Sequence, residues 1–150
     1  MKLRNHVVVA ASIALFLAPG NVFSTLLAVV SCVVGSLIPD LDLRKGHRKY
    51  LHNVLVVVVL YILILIFTAE PLVAFYLSVG MLSHIVTDVL TARGVAFLWP
   101  FSKQYFSATG LRYNSRVFDM LTILVAATAI MFRLKRLFWE DAVSLPLLNP

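Results

Sequence analysis

Five apolar runs, Val7–Ala18, Val22–Ile38, Val54–Ala69, Leu72–Leu90 and Val117–Phe132, constrain this chain more than any other feature. Runs of this length read as helices, and in lipid a backbone satisfies its polar groups only within helices or closed barrels. Hydrophobic residues make up 61% of the 150 residues, charged residues only 13%, and the mean hydropathy is +0.93. A soluble domain needs more polar surface than this. The expected fold is therefore all-α, a polytopic membrane helix bundle of about five helices. It forms a single domain over 1–150, with a C-terminal tail over about 133–150.

Pro19-Gly20 separates the first two runs, and Glu70-Pro71 separates the third from the fourth. Several runs fall short of the roughly 20 residues a perpendicular span needs. Their ends then reach water, or the helices surround a wet cavity. The start MKLRNHVVVAASIALFLAPG resembles a signal peptide, but no small-x-small cleavage site follows before Thr25, so a retained first helix is expected. Cys32 is the lone cysteine and lies in an apolar run, which excludes a disulfide framework or a thiolate cluster within one chain. Any metal must be held by nitrogen and oxygen.

The net charge of +6 fits membrane topology rather than nucleic acid, because the basic residues lie between the apolar runs. Lys2 and Arg4 precede the first run; Arg44, Lys45, Arg48 and Lys49 follow the second; Arg93, Lys103, Arg112 and Arg116 follow the fourth. The two tight connections carry no Lys or Arg. This is a positive-inside pattern for a multi-pass protein of the cell membrane, with those three segments in the cytoplasm. Arg133, Lys135 and Arg136 disagree: after five spans they lie outside, unless the fifth run does not cross fully.

One apolar run is interrupted. In LVAFYLSVGMLSHIVTDVL, residues 72–90, Gly80, His84, Thr87 and Asp88 share a helix face with Thr91 beyond it. Ionisable groups inside a membrane helix are expensive and mark a functional site by default. His84 and Asp88, at i and i+4, can direct two ligand atoms at one ion; the bland alternative is a hydrogen bond between packed helices. With the orientation above, His6, Asp40, Asp42, His47, His52, His84 and Asp88 all lie toward one membrane face.

Imidazole and carboxylate suit zinc, and also manganese or iron. In Ile38-Pro39-Asp40-Leu41-Asp42, one aspartate can ligate while the other orients a histidine or bridges a second ion; both can also simply end the second helix. His47 and His52 diverge by about 140° on an ideal helix, so His47 belongs to the loop and His52 to a helix start. His47 lies among basic residues, where contact with phosphate is the alternative to ligation. Arg48, Lys49 and Arg112 can hold an anionic group. Asp119 is explained by a local pair with Arg116 or by the helix dipole. The aromatic and basic residues of 91–116 read as an interfacial loop lying over the site.

These motifs in this order, His6, then Gly35-Ser36-Leu37-Ile38-Pro39-Asp40-Leu41-Asp42, His47-Arg48 with His52, Gly80 with Ser83-His84 and Asp88, and Gly94 with Leu98-Trp99-Pro100-Phe101-Ser102, resemble those of a known family. It comprises the small membrane-bound metal-dependent hydrolases of bacteria and archaea, grouped with the zinc-dependent phospholipase C and P1 nuclease superfamily. The likeness covers His6 to about Ser107. Where that family usually carries HRGxTHS, this chain has HRKYLHN, so Lys49, Leu51 and Asn53 replace a glycine, a threonine and a serine.

The resemblance implies a divalent metal, zinc foremost, in one to three copies. It adds His6 to Asp40, His52, His84 and Asp88 as ligands, with Asp88 as a bridge, and leaves Asp42 and His47 as catalytic candidates or alternates. The implied reaction is metal-assisted hydrolysis of a phosphoester such as a phospholipid, with membrane lipid as partner and substrate source. The other expectation is a non-catalytic membrane regulator that binds a cytoplasmic protein through a metal-stabilised face.

Overall fold

The computed structural model describes residues 1–42 and 48–143, so His47 lies outside the described residues, and of Asp42 only the backbone is described. Five helices follow one another: α1 (Leu3–Leu17), α2 (Val22–Leu37), α3 (Val54–Thr68), α4 (Pro71–Val89) and α5 (Arg116–Val143). A 3-10 turn, Ile38–Asp42, extends α2. The described residues contain no strand beyond one isolated bridge, Val95 to Phe106. Three segments are long and apolar enough to cross a membrane, Val22–Leu41, Pro71–Val89 and Arg116–Trp139. The 15-residue α1 and α3 rise only about 22 Å each.

Small residues let the helices approach closely. A Cβ on Gly80 would stand 1.9 Å from the carbonyl oxygen of Cys32, and one on Gly35 would stand 2.0 Å from that of Leu77. Each glycine therefore admits the backbone of the facing helix, the usual way for α2 and α4 to pack in lipid. Ala10, Ala14 and Ala18 give α1 a comparable face against Ala28, Cys32 and Tyr76. The outer surface is apolar: Val58, Ile62, Ile66 and Phe67 of α3 are exposed.

Both ends of α1 are tied to α5, and the two helices run parallel. At one end Asp119 accepts from Lys2 Nζ (2.5 Å), Arg4 Nη2 (3.0 Å) and Asn5 Nδ2 (2.9 Å), so its partners lie on α1 and not at Arg116 as expected. At the other end the Arg133 guanidinium donates to the carbonyls of Ala18, Pro19 and Gly20 and to Thr25 Oγ1, and Arg136 donates to Ala18 O. These arginines cap the C-terminus of α1, where exposed carbonyls favour positive charge. The helix also continues to Val143, past the break expected at Phe132. No proline or glycine lies between Arg116 and Val143 to stop it. The three discordant charges thus belong to a helix long enough to cross.

Candidate metal centre

The ends of four elements meet at one pole of the bundle: the first turns of α1, the exit of α2, the approach to α3 and the last turns of α4. His6, His52, His84 and Asp88 are buried there, and the Asp40 side chain, 27% exposed, is the open edge of the group. Sequence spacing brought His84 and Asp88 to one face; the fold adds the other three.

Two sets of ligand atoms form. His6, His84 and Asp88 make one, and Asp40, His52 and His84 the other, with all ligand atoms of a set within 4.8 Å of one another. His6 Nε2 lies 3.4 Å from Asp88 Oδ1, His84 Nε2 lies 3.6 Å from Asp40 Oδ1 and 3.8 Å from Asp88 Oδ2, and His52 Nε2 lies 4.0 Å from Asp88 Oδ2. Ligands about 2.0–2.1 Å from a tetrahedral zinc are about 3.3 Å apart. The spacings therefore fit a shared ion after small adjustments.

Hydrogen bonding settles which ring nitrogens face inward. His84 Nδ1 lies 2.7 Å from the carbonyl of Ser36, which can only accept, so Nδ1 carries a proton. His6 Nδ1 lies 2.8 Å from Thr87 Oγ1, whose own hydrogen is directed at the carbonyls of Ser83 and His84, so Thr87 accepts from His6. Both rings then turn Nε2 toward carboxylate oxygen. Among the described residues His84 Nε2 is buried with no hydrogen-bond partner. A nitrogen lone pair facing two carboxylates is repelled unless a cation lies between them. The His6 and His84 rings stack with centroids 3.7 Å apart. A divalent ion would fit among these atoms, and Ser36 O and Thr87 would then orient its ligands as partners of metal-bound histidines do.

Asp88 has further partners. Arg48, itself buried, sends Nη2 to within 3.2 Å of Asp88 Oδ2 and donates through Nη1 to Thr91 Oγ1 at 2.8 Å. The Met1 α-amine bonds Asp88 Oδ1, so that amine and a metal ion are alternative cations for this oxygen. Arg48, one of the three residues that could hold an anionic group, balances the buried aspartate here. Of the other two phosphate candidates, Lys49 lies over the rings of Tyr50 and Trp99, and the exposed Arg112 lines a separate cleft with Arg93 and Tyr113.

The segment before α3 explains the departure from HRGxTHS. Arg48 adopts a left-handed φ of 67°, and Lys49, in the glycine's place, is not among the described residues with positive φ. Asn53, in place of the serine, caps α3 by accepting from Val56 N, and its amide donates to the carbonyls of Lys49 and Tyr50. The 91–116 segment closes over Arg48 through Ala96 N to Arg48 O, Val54 N to Phe97 O, and a contact from Arg48 Nη1 to Gly94 O.

Residues 1–148 match the family model of the YdjM inner membrane protein. The uncharacterized protein YvsG of Bacillus subtilis (strain 168) is 27% identical over 96 residues, covering 52% of this chain and 60% of that relative. The chain thus aligns with less than two thirds of the relative's length. No solved structure gives a match.

Proposed function

The chain belongs to the YdjM inner membrane protein family, and from that premise we propose that it is a metal-dependent hydrolase of the membrane, acting on a phosphoester such as a phospholipid. The observation that carries this reading is His84 Nε2, buried without a hydrogen-bond partner among the described residues and facing the carboxylates of Asp40 and Asp88. His6, His84 and Asp88 would hold a first ion, and Asp40 and His52 would complete its shell or join His84 around a second. Zinc is the first candidate, with manganese and iron behind it. A bound ion of this kind brings the pKa of its water to about 7 and supplies hydroxide at neutral pH.

The protein's own residues orient and balance this centre. Ser36 and Thr87 fix two ring tautomers, and Arg48 offsets the charge of Asp88. Asp40 supplies the edge from which water or substrate would reach the ion, and Asp42 and His47 are kept as the candidates for proton transfer. The multi-pass topology we infer puts the centre at the cytoplasmic face, on the strength of ten Lys and Arg residues clustered toward that side. In a Cys32→Ser background, a cysteine at Lys103 then reacts only with reagent that enters the cell; labelling by an impermeant reagent inverts the site.

Burial of His6, His52, His84 and Asp88 favours a second reading, a structural ion in a regulator that binds a cytoplasmic protein. Such an ion is closed by four protein ligands, whereas a catalytic one keeps a place for water. Zinc-loaded protein in phospholipid vesicles tests the choice. Release of a phosphorylated headgroup or free phosphate, abolished by His84→Ala, supports the hydrolase. Fully loaded protein with no product and no metal-bound water contradicts it.

A further inference from the structure

An apolar groove runs along the outer surface at the same pole. Leu55 and Val58 of α3 form one wall, and Phe97, Leu98 and Phe101 of the loop after α4 form the other, enclosing about 250 Å³. The groove is preformed, because Val54 N donates to Phe97 O and Ala96 N to Arg48 O, which pin the loop to the start of α3. Its walls nevertheless remain uncovered: Phe101 is 85% exposed, and Leu55, Val58 and Leu98 are also exposed.

The groove is polar at one end and apolar at the other. Trp99 lines it with Tyr50 packed edge-on at 5.2 Å, and the Lys49 ammonium lies 5.1 Å from the Tyr50 centroid and 5.7 Å from that of Trp99. From Val54 the floor descends along α3 onto the lipid-facing surface of Val58, Ile62 and Ile66. Aromatic rings with a lysine at one end and bare hydrocarbon at the other match the depth profile of a lipid molecule. The ring faces hold the ammonium less strongly than a phosphate would.

We infer that this groove binds one anionic phospholipid, its acyl chain along Leu55 and Val58 and its phosphate at Lys49. Three larger clefts beside α5, of about 430, 480 and 540 Å³, suit this ligand less well: two are lined almost entirely by apolar side chains, and in the third Arg4 is already paired with Asp119. As a binding site the groove needs neither metal nor turnover. As the source of substrate it rests on the hydrolase reading, since Lys49 adjoins Arg48, whose guanidinium touches Asp88.

Trp99 is a built-in reporter once the exposed Trp139 is changed to phenylalanine. The full chain is reconstituted in phosphatidylcholine vesicles containing increasing fractions of acyl-brominated phosphatidylglycerol or acyl-brominated phosphatidylcholine, and quenching of Trp99 is recorded. One lysine facing a net-negative headgroup instead of a zwitterionic one at a membrane surface predicts half-maximal quenching at about five-fold less phosphatidylglycerol than phosphatidylcholine. Lys49→Gln should bring the two curves together. Phe101→Ser, at a position outside the core, should weaken quenching by both lipids while leaving their ratio intact. Equal quenching by the two lipids in the parent protein, a preference that survives Lys49→Gln, or no quenching by either lipid overturns the inference. Preserved lipid preference in a protein without turnover would instead remove only the hydrolase reading.

Discussion

The two poles of the bundle both bury charge, and they do so in opposite ways. At the α1–α2 turn, Arg133 is enclosed by four oxygen acceptors, the carbonyls of Ala18, Pro19 and Gly20 and the hydroxyl of Thr25. At the other pole His84 Nε2 faces the carboxylates of Asp40 and Asp88 with no hydrogen bond to either among the described residues. The first arrangement is complete as it stands and ties α5 to α1. The second has Arg48 and the Met1 amine beside Asp88 but leaves His84 Nε2 facing carboxylate oxygen, which is where a metal ion would fit. Burial alone does not distinguish a structural charge from a functional one; the sign of what surrounds it does.

Substitutions can break this contrast, and the largest effect is expected at Asp88. Asp88→Asn removes the negative charge that Arg48 and the Met1 amine face, leaving a buried guanidinium without its counter-ion. Breaking a buried pair from one side costs about 3–5 kcal/mol. Thermal unfolding in mild detergent should show that loss together with loss of bound metal. Stability equal to that of the parent chain would mean that this pole carries no such charge cluster.

Arg133→Met should cost about 1.5–3 kcal/mol, the scale of hydrogen bonds to a charged donor. Here metal content is the informative measurement. It should be unchanged, because the centre is at the other pole. Metal loss equal to that of Asp88→Asn would erase the distinction between the two ends. A smaller effect is expected at the edge of the site, where Asn53→Ala removes the cap of α3, at about 1 kcal/mol. Asn53→Ser restores a capping hydroxyl and should recover most of that loss in the same unfolding assay; no recovery would place the role of Asn53 in its amide bonds to Lys49 and Tyr50 alone.

Much of this architecture was legible in the residues. Helix periodicity placed Gly80, His84, Thr87, Asp88 and Thr91 on one face, and each has a partner across it: Gly80 admits α2, Thr87 holds His6 and Thr91 holds Arg48. The breaks at Pro19-Gly20 and Glu70-Pro71 separate helices as expected, since proline opens a helix readily and cannot continue one. Long-range pairings were not legible. Arg48 read as a basic-loop residue able to hold an anionic group, and only the closing of 91–116 over it turns the guanidinium inward to Asp88. Asp119 had Arg116 within reach in sequence, but the parallel packing of α1 and α5 brings Lys2, Arg4 and Asn5 to it. Arg133 and Arg136 contradicted a simple charge rule for a related reason: their charge is used on carbonyls of a turn that has no cation of its own.

Elemental analysis of the purified chain, beside His84→Ala prepared in the same way, bears most directly on the centre. We expect at least one equivalent of zinc, manganese or iron per chain in the parent protein, and loss of it in His84→Ala while the helical content is retained. Parent protein with no transition metal above background, even after incubation with each ion, or equal metal in the two proteins, would contradict the account.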